Sequence, residues 1–231
     1  MKLPEILTDK DQTENAAKLL HAYFNENTIT GGTRTGSHFE ALGGGGDRVE
    51  VANTLTAEDI VAVSFLGMRI KGVAAYGLLE THRERITELL SDIPTDIDLA
   101  SLSTSEADEL VASGTSAASR LWGIFRNEGG IKWGVGATKA SKLLARKRPR
   151  LIPIYDSVID RVTELGRSPR TQWTDWHVAL TQSDLPEHLE EIRRQSGIVQ
   201  PISQLRVMDV VLWMHGMAQG LVPLADEEEA A

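Results

Sequence analysis

The chain has 231 residues, of which 41% are hydrophobic, and its formal net charge is −9. It contains no cysteine, which excludes disulfides, thiolate zinc sites and cysteine-ligated iron–sulfur clusters. A pI near 5.2 is the opposite of what a generic nucleic-acid-binding protein shows, because a negative field repels nucleic acid at long range.

The amino-terminal segment MKLPEILTDKD lacks the apolar core of a secretory signal, and no apolar run approaches the length of a membrane span. We therefore expect a soluble, cytoplasmic protein without membrane contact. The hydrophobic content is sufficient for a sizeable core, and neither an internal repeat nor an interdomain linker is visible. We predict one helical domain over residues 1–225 and an acidic, disordered tail over 226–231.

Helical periodicity is the main pattern of the sequence. It begins with apolar residues on one face of a helix over 13–24. Residues 27–50 interrupt it with seven glycines, and a segment of that length and composition is typical of a functional or disordered loop. Within this glycine-rich loop we predict short strands at 37–42 and 48–52.

The remaining elements are also predicted to be helices. The first of them has Thr56 at its N-cap and Asp59 three residues later, at the spacing of a capping box. No segment shows convincing alternation of apolar and polar residues, so the predicted class is all-α. We expect these helices over 54–66, 72–91, 104–127, 136–147, 157–165, 170–182, 184–195 and 203–219.

A glycine turn begins the helix at 136–147. Gly134 and Gly136 permit positive φ and leave no side chain over the turn. The backbone N–H groups of 135–138 can therefore point outward at a helix N-terminus, where the helix dipole favours an anion such as phosphate.

The turn is followed by a strip of six basic residues without an acidic one. On a chain of net charge −9, such a strip predicts a defined docking surface. The alternative is that these side chains only solvate the outer face of an amphipathic helix. The strip consists of Lys139, Lys142, Arg146, Lys147, Arg148 and Arg150.

A single aspartate follows the strip at a set distance. Asp156 lies twenty residues after Gly136 and begins the run DSVIDRV. With the Gly-Val-Gly turn, this pattern over 129–166 resembles the helix-hairpin-helix DNA glycosylase superfamily. In that family a Leu-Pro-Gly-Val-Gly hairpin opens a helix, and the catalytic aspartate stands in a pattern like Val-Asp-x-x-Val-x-Arg-Val about twenty residues later. The resemblance implies a glycosylase-like helical fold with Asp156 as the catalytic residue.

The resemblance also implies which residues bind DNA. The phosphate contacts would come from the hairpin and the start of its helix, at Gly134, Val135, Gly136, Thr138, Lys139 and Lys142. The chain departs from the family where Lys132-Trp133 replaces the Leu-Pro pair. The order of elements is also similar to that of an uncharacterised family of bacterial proteins, from which no activity can be transferred.

A second departure bears on the reaction. Lyase-active members carry the Schiff-base lysine two residues after the second glycine, and this chain has Thr138 there. Lys139 is the next residue, turned by about 100° on the helix, so it should not point into the same pocket. The resemblance therefore implies base excision without strand cleavage.

The expected chemistry requires few protein groups. Cleavage of an N-glycosidic bond builds positive charge on the deoxyribose, and a carboxylate beside it stabilises that charge or orients water. A base flipped out of the DNA stack needs an aromatic pocket. The candidates for stacking are Tyr155 and Trp133, with Phe39 and His38 in the glycine-rich loop.

Each candidate also has a structural interpretation. Asp156 stands where an aspartate would cap the next helix, and Tyr155 and Trp133 are of the residue types that usually pack in the core. Asp209 interrupts an apolar run, and a buried carboxylate needs a partner. It either pairs with Arg206, one turn earlier, or lines the base pocket and accepts a hydrogen bond from the base.

Three functions remain open from the sequence. The first is a monofunctional DNA glycosylase that acts on a damaged or modified base without metal or cofactor, since the six histidines show no metal-ligand spacing. The second is a non-catalytic helix-hairpin-helix DNA-binding protein, and the third is a helical interaction protein whose basic strip meets an acidic partner. The spacing from hairpin to aspartate favours the first, because binding alone does not require it.

Overall fold

Twelve α-helices, with short 3₁₀ and π turns, form the regular structure of the residues that the structure describes. In this computed structural model those residues are 1–29, 31–166 and 169–223. No β-strand occurs among them, and one isolated bridge joins Asn27 and Thr33. The predicted all-α class is confirmed. The acidic tail predicted at 226–231 lies outside the described residues.

The α-helices are numbered in chain order. Their bounds are Glu5–Thr8 (α1), Thr13–Asn25 (α2), Ala57–Phe65 (α3), Gly72–Tyr76 (α4), Arg83–Ser91 (α5), Thr104–Ala107 (α6), Ala117–Phe125 (α7), Ala137–Lys147 (α8), Ser157–Thr163 (α9), Pro169–Thr181 (α10), Leu185–Ser196 (α11) and Gln204–Ala218 (α12). The 3₁₀ turns are Lys10–Gln12, Thr35–His38, Leu42–Gly44 and Leu99–Ser101, and the π turns are Gly77–Thr81 and Asp108–Ala112.

Two predicted helices are interrupted. The one expected over 72–91 contains a π turn that begins at Gly77, where the ring of Trp133 lies so close that an added Cβ would be 2.2 Å from it. The one expected over 104–127 breaks before Ser116, whose side chain caps α7 by accepting a hydrogen bond from Ser119 N. The strands predicted at 37–42 and 48–52 are wrong, because 3₁₀ turns and irregular backbone occupy these segments.

The capping box predicted at α3 is confirmed. The Thr56 hydroxyl accepts a hydrogen bond from Asp59 N, and Asp59 Oδ2 accepts one from Thr56 N at 3.0 Å. Asp59 is 1% exposed and also forms ion pairs with the buried Arg146 and Lys147.

A continuous hydrophobic core includes residues from α1 to α12 and contains the buried tryptophans Trp122, Trp173 and Trp176. Helix α2 packs against α11 and α12, and α12 also packs against α9. This arrangement places the start of α9, and with it Asp156, next to the middle of α12.

Helix α8 is buried along its length, and its basic side chains point inward. It packs against α3 and α7. Of the six residues in the predicted basic strip, only Arg150 is exposed, where it pairs with Asp98. The strip therefore forms neither an exposed docking surface nor a solvated helix face, and both interpretations from the sequence are wrong. The other five are at most 2% exposed: Lys139, Lys142, Arg146, Lys147 and Arg148.

Carbonyl groups of the glycine-rich loop and its continuation surround three of these cations, Arg146, Lys147 and Arg148. Arg146 donates to the carbonyls of Phe39 and Glu40, both at 2.5 Å, and to Asp59 Oδ1 at 3.1 Å. Lys147 Nζ donates to the carbonyls of residues 51 and 54 at 2.8 and 2.9 Å and to Asp59 Oδ2 at 3.1 Å. One buried carboxylate and a set of backbone dipoles thus replace the water that these cations lost.

Arg148, directly after α8, is also a buried cation whose hydrogen bonds go mainly to backbone carbonyls. It donates to the carbonyls of Ala52 and Ile93, each at 2.8 Å, and to Asn53 Oδ1 at 2.7 Å. Burial lowers the pKa of Arg148 to about 10, and burial also lowers the pKa of Lys147. The hydrogen bonds therefore offset only part of the free-energy cost of removing these charges from water. Removal of one of their partners should destabilise the folded protein.

We expect Asp59→Asn to lower the free energy of unfolding by about 3–5 kcal/mol, because it leaves Arg146 and Lys147 buried without a counter-charge. The matched control is Asp98→Asn, which breaks the exposed pair with Arg150 and should cost about 0–1 kcal/mol. Urea unfolding of the three proteins measures both values. Equal effects of the two substitutions would show that the buried network is not what stabilises α8.

Candidate functional site

A cavity of about 560 Å³ lies between the glycine-rich loop, the segment after α3, the start of α9 and one face of α12. Thr28, Gly31 and residues 33–36 form one wall, and residues 65–68 form another. The side chains around it include three aromatic rings, two carboxylates and three basic groups. These are Tyr23, Phe65, Trp213, Asp156, Asp209, Arg34, Lys142 and Arg206.

Asp156 both caps a helix and lines this cavity. It is the N-cap of α9, and its Oδ1 accepts a hydrogen bond from Val158 N at 2.9 Å. Its Oδ2 lies 3.5 Å from Lys142 Nζ, and its side chain is 10% exposed. Asp156 therefore caps α9, as the structural interpretation predicts. Capping uses only Oδ1, so Oδ2 is left for another role.

Lys142 brings an ammonium group to the same wall. Its Nζ also donates to the carbonyl of Leu66 at 3.1 Å, so it links α8 to the segment after α3. Lys142 is one turn beyond Thr138 on α8 and thus on the same face of the helix. Thr138 itself is buried and is not among the residues that line the cavity.

Arg206 and Asp209, which also line the cavity, form an ion pair through Arg206 Nη1 and Asp209 Oδ2. Arg206 Nη2 also donates to Tyr23 Oη at 3.0 Å and to the carbonyl of Gly36 at 2.9 Å, while Glu40 Oε1 lies 2.6 Å from Arg206 Nε. The structure contains the pair expected from the sequence, and Asp209 also lines the cavity. The two interpretations of Asp209 are thus compatible.

Burial raises the pKa of Asp209 to about 6, although the Arg206 guanidinium acts in the opposite direction. The charge of Asp156 adds to the rise. The cavity therefore holds one carboxylate whose charge can change near neutral pH.

The aromatic residues predicted to form the base pocket lie elsewhere. Trp133 packs on Gly77 and donates from Nε1 to the carbonyl of Phe125 at 2.7 Å. Phe39 belongs to a small separate core cluster, and Tyr155 is buried; neither is among the residues that line the cavity. His38 is exposed in the glycine-rich loop and does not line the cavity either.

Sequence reasoning missed the three rings that do line the cavity. Trp213 could have been found, because it follows Asp209 by four residues on α12 and therefore shares its helix face. Tyr23 lies in the last turn of α2 and Phe65 ends α3, and only the tertiary structure brings them to the same cavity.

The glycine hairpin is buried and does not present its basic residues to solvent. Gly134 has φ +79°, as the turn requires, and Gly134, Val135 and Gly136 are all buried. Lys139 Nζ donates to the carbonyl of Gly134 at 2.9 Å, from inside the protein. Lys139 therefore holds its ammonium group in the interior, away from any DNA phosphate, whereas Lys142 lines the cavity, and its predicted phosphate contact stays a prediction.

Within 1–29, 31–166 and 169–223, no group of three or more histidines or acidic residues is arranged to hold a metal ion. No helix in these ranges is long and apolar enough to cross a membrane.

The fold and site define an all-α protein with two carboxylates and three aromatic rings around one cavity. The chain belongs to a family of unknown function, DUF6308, whose model matches residues 16–216. All eight side chains named above as walls of the cavity fall within the matched range. No curated protein and no solved structure matches the chain.

We expect the Asp209 carboxyl to make stability depend on pH. The folded protein keeps this proton up to about pH 6, whereas the unfolded chain releases it near the ordinary value of 3.8. The wild type should therefore lose stability as the pH rises from about 4 to 6, by on the order of 1–3 kcal/mol, and no further above that range. Asp209→Asn should lack this loss. Urea midpoints at a series of pH values test it, and identical profiles for the two proteins would contradict the raised pKa.

Proposed function

We propose that the protein is a monofunctional DNA glycosylase-like enzyme, which hydrolyses the N-glycosidic bond of a damaged or modified base. One observation carries this proposal: Asp156 lines a cavity that also contains Tyr23, Phe65, Trp213 and the carboxylate of Asp209. A carboxylate beside an aromatic pocket is the minimum that such a reaction needs.

Asp156 suits the reaction because its two oxygens have different partners. Oδ1 is held by Val158 N at 2.9 Å, which sets the orientation of the carboxylate, while Oδ2 faces Lys142 across 3.5 Å. As the bond to the base breaks, positive charge develops on the sugar. A preorganised carboxylate in a mostly buried site stabilises that charge or orients the attacking water.

The cavity suits a single base. Its volume of about 560 Å³ falls in the range of small-molecule pockets, about 300–1,000 Å³. Tyr23, Phe65 and Trp213 offer surfaces for stacking, and the Asp209 carboxylate can accept a hydrogen bond from a base N–H. Arg206 orients Asp209 through their ion pair.

The helical interaction function considered from the sequence loses its support. It relied on an exposed basic strip, and five of the six side chains in that strip are at most 2% exposed. The non-catalytic DNA-binding function stays the alternative, and base release separates it from the proposed activity.

We expect Asp156→Asn to abolish most base release while leaving folding intact. Asparagine caps a helix about as well as aspartate, but it cannot stabilise a cation. Single-turnover release from the responsive substrate should fall at least about 100-fold. Substrates with deaminated, alkylated, oxidised and naturally modified bases are screened first, and abasic sites are detected by alkaline cleavage.

Asp9→Asn is the matched control for this variant. Asp9 also caps a helical turn, by accepting a hydrogen bond from Asp11 N at 2.9 Å, but it does not line the cavity. This control should release the base at the wild-type rate. Activity that survives in Asp156→Asn would refute the mechanism, and failure of the wild type on every substrate would refute the proposed activity.

We expect hydrolysis without a covalent enzyme–DNA intermediate. Thr138 offers no amine, and the Lys142 ammonium is engaged by the carbonyl of Leu66 and by Asp156. Borohydride added during base release should therefore trap no adduct. An adduct that forms in the wild type and is lost in Lys142→Arg would instead assign a Schiff-base reaction to Lys142.

A further inference from the structure

We propose that Arg69 and Lys71, on the segment between α3 and α4, form the contact with the DNA backbone. This inference rests on the proposed function, because it supplies the docking surface that the buried strip does not. It assigns DNA binding to residues outside the hairpin and its helix.

Arg69 and Lys71 are exposed, and neither has an ion pair, a hydrogen bond or a ring contact within the part of the chain that the structure describes. Every other lysine or arginine whose side chain the structure describes interacts with a carboxylate, a carbonyl or another group. Unpaired cations on a chain of net charge −9 are the sites where an external anion gains most.

Arg69 and Lys71 also lie next to the cavity. Residues 65–68 line it, and the exposed Gly67 places this segment at the rim. Arg69 follows directly. Ile70 is packed against the core, whereas Arg69 and Lys71 on either side of it are exposed. The alternation puts both cations on the outer side of the rim, two residues apart in a segment without regular structure, in which the backbone of Lys71 is extended.

The glycine hairpin supports the Lys71 side chain. A Cβ on Gly134 would lie 3.2 Å from Lys71 Cδ and Cε and 3.4 Å from its Nζ, so glycine leaves room for the Lys71 side chain to lie on the turn. The hairpin thus supports a lysine from another segment.

Two cations that follow each other along a rim match a chain of phosphates. A base inside the cavity stays linked to its own backbone, and the backbone must cross the rim. Contacts of this kind hold DNA in place without reading its sequence.

The test is the binding of an unmodified DNA duplex, measured by fluorescence anisotropy over a range of salt concentrations. Arg69→Gln/Lys71→Gln should weaken binding about tenfold or more and lower the slope of log affinity against log salt by about 2. The matched control is Lys10→Gln/Lys18→Gln. It removes two exposed charges that are already paired with acids and do not line the cavity.

Binding that is unchanged in Arg69→Gln/Lys71→Gln, or weakened equally in the control, would overturn the inference. So would a wild type that does not bind DNA, or one that an acidic polypeptide displaces as well as DNA does. Asp156→Asn should bind the duplex like the wild type. DNA binding that depends on Arg69 and Lys71, without base release on any substrate, would support this surface and refute the proposed glycosylase activity.

Discussion

The structure depends on the solvation of buried cations by backbone carbonyls. Removal of an ammonium or guanidinium group from water costs several kcal/mol per ion. Helix α8 carries four of them into the interior, and Arg148, directly after it, is a fifth. Asp59 supplies one counter-charge, and the carbonyls of the segment 39–54 supply most of the remaining acceptors around Arg146, Lys147 and Arg148. In the glycine-rich loop these hydrogen bonds satisfy the carbonyls of residues 39, 40 and 42 without strand pairing.

The same bonds position the candidate site. Arg146 holds the loop at Phe39 and Glu40, and Arg206 holds it at Gly36. The loop therefore forms one wall of the cavity that Asp156 and Lys142 also line. A substitution in the buried network should disturb the cavity as well as the stability of the protein, since the two depend on common groups.

Burial of the basic residues also changes what the protein presents to a polyanion. The cations that are most concentrated in the sequence are hidden, so the exterior has more negative charge than the sequence suggests. A DNA backbone would meet repulsion over most of the surface and attraction at the rim that carries Arg69 and Lys71. Such a field would orient the DNA and would make binding sensitive to salt.

Local patterns in the sequence were sufficient to predict the helical class, the capping box at Thr56 and Asp59, and an aspartate at the start of α9, because each depends on neighbouring residues. The burial of α8 depends on partners about fifty to one hundred residues away in the chain, which no local pattern records. The same limit applies to the meeting of Tyr23, Phe65 and Trp213 at one cavity. The sequence alone determined which segments are helical and where a carboxylate caps α9. The tertiary structure decided that the basic residues point inward, because loop carbonyls take the place of water around them.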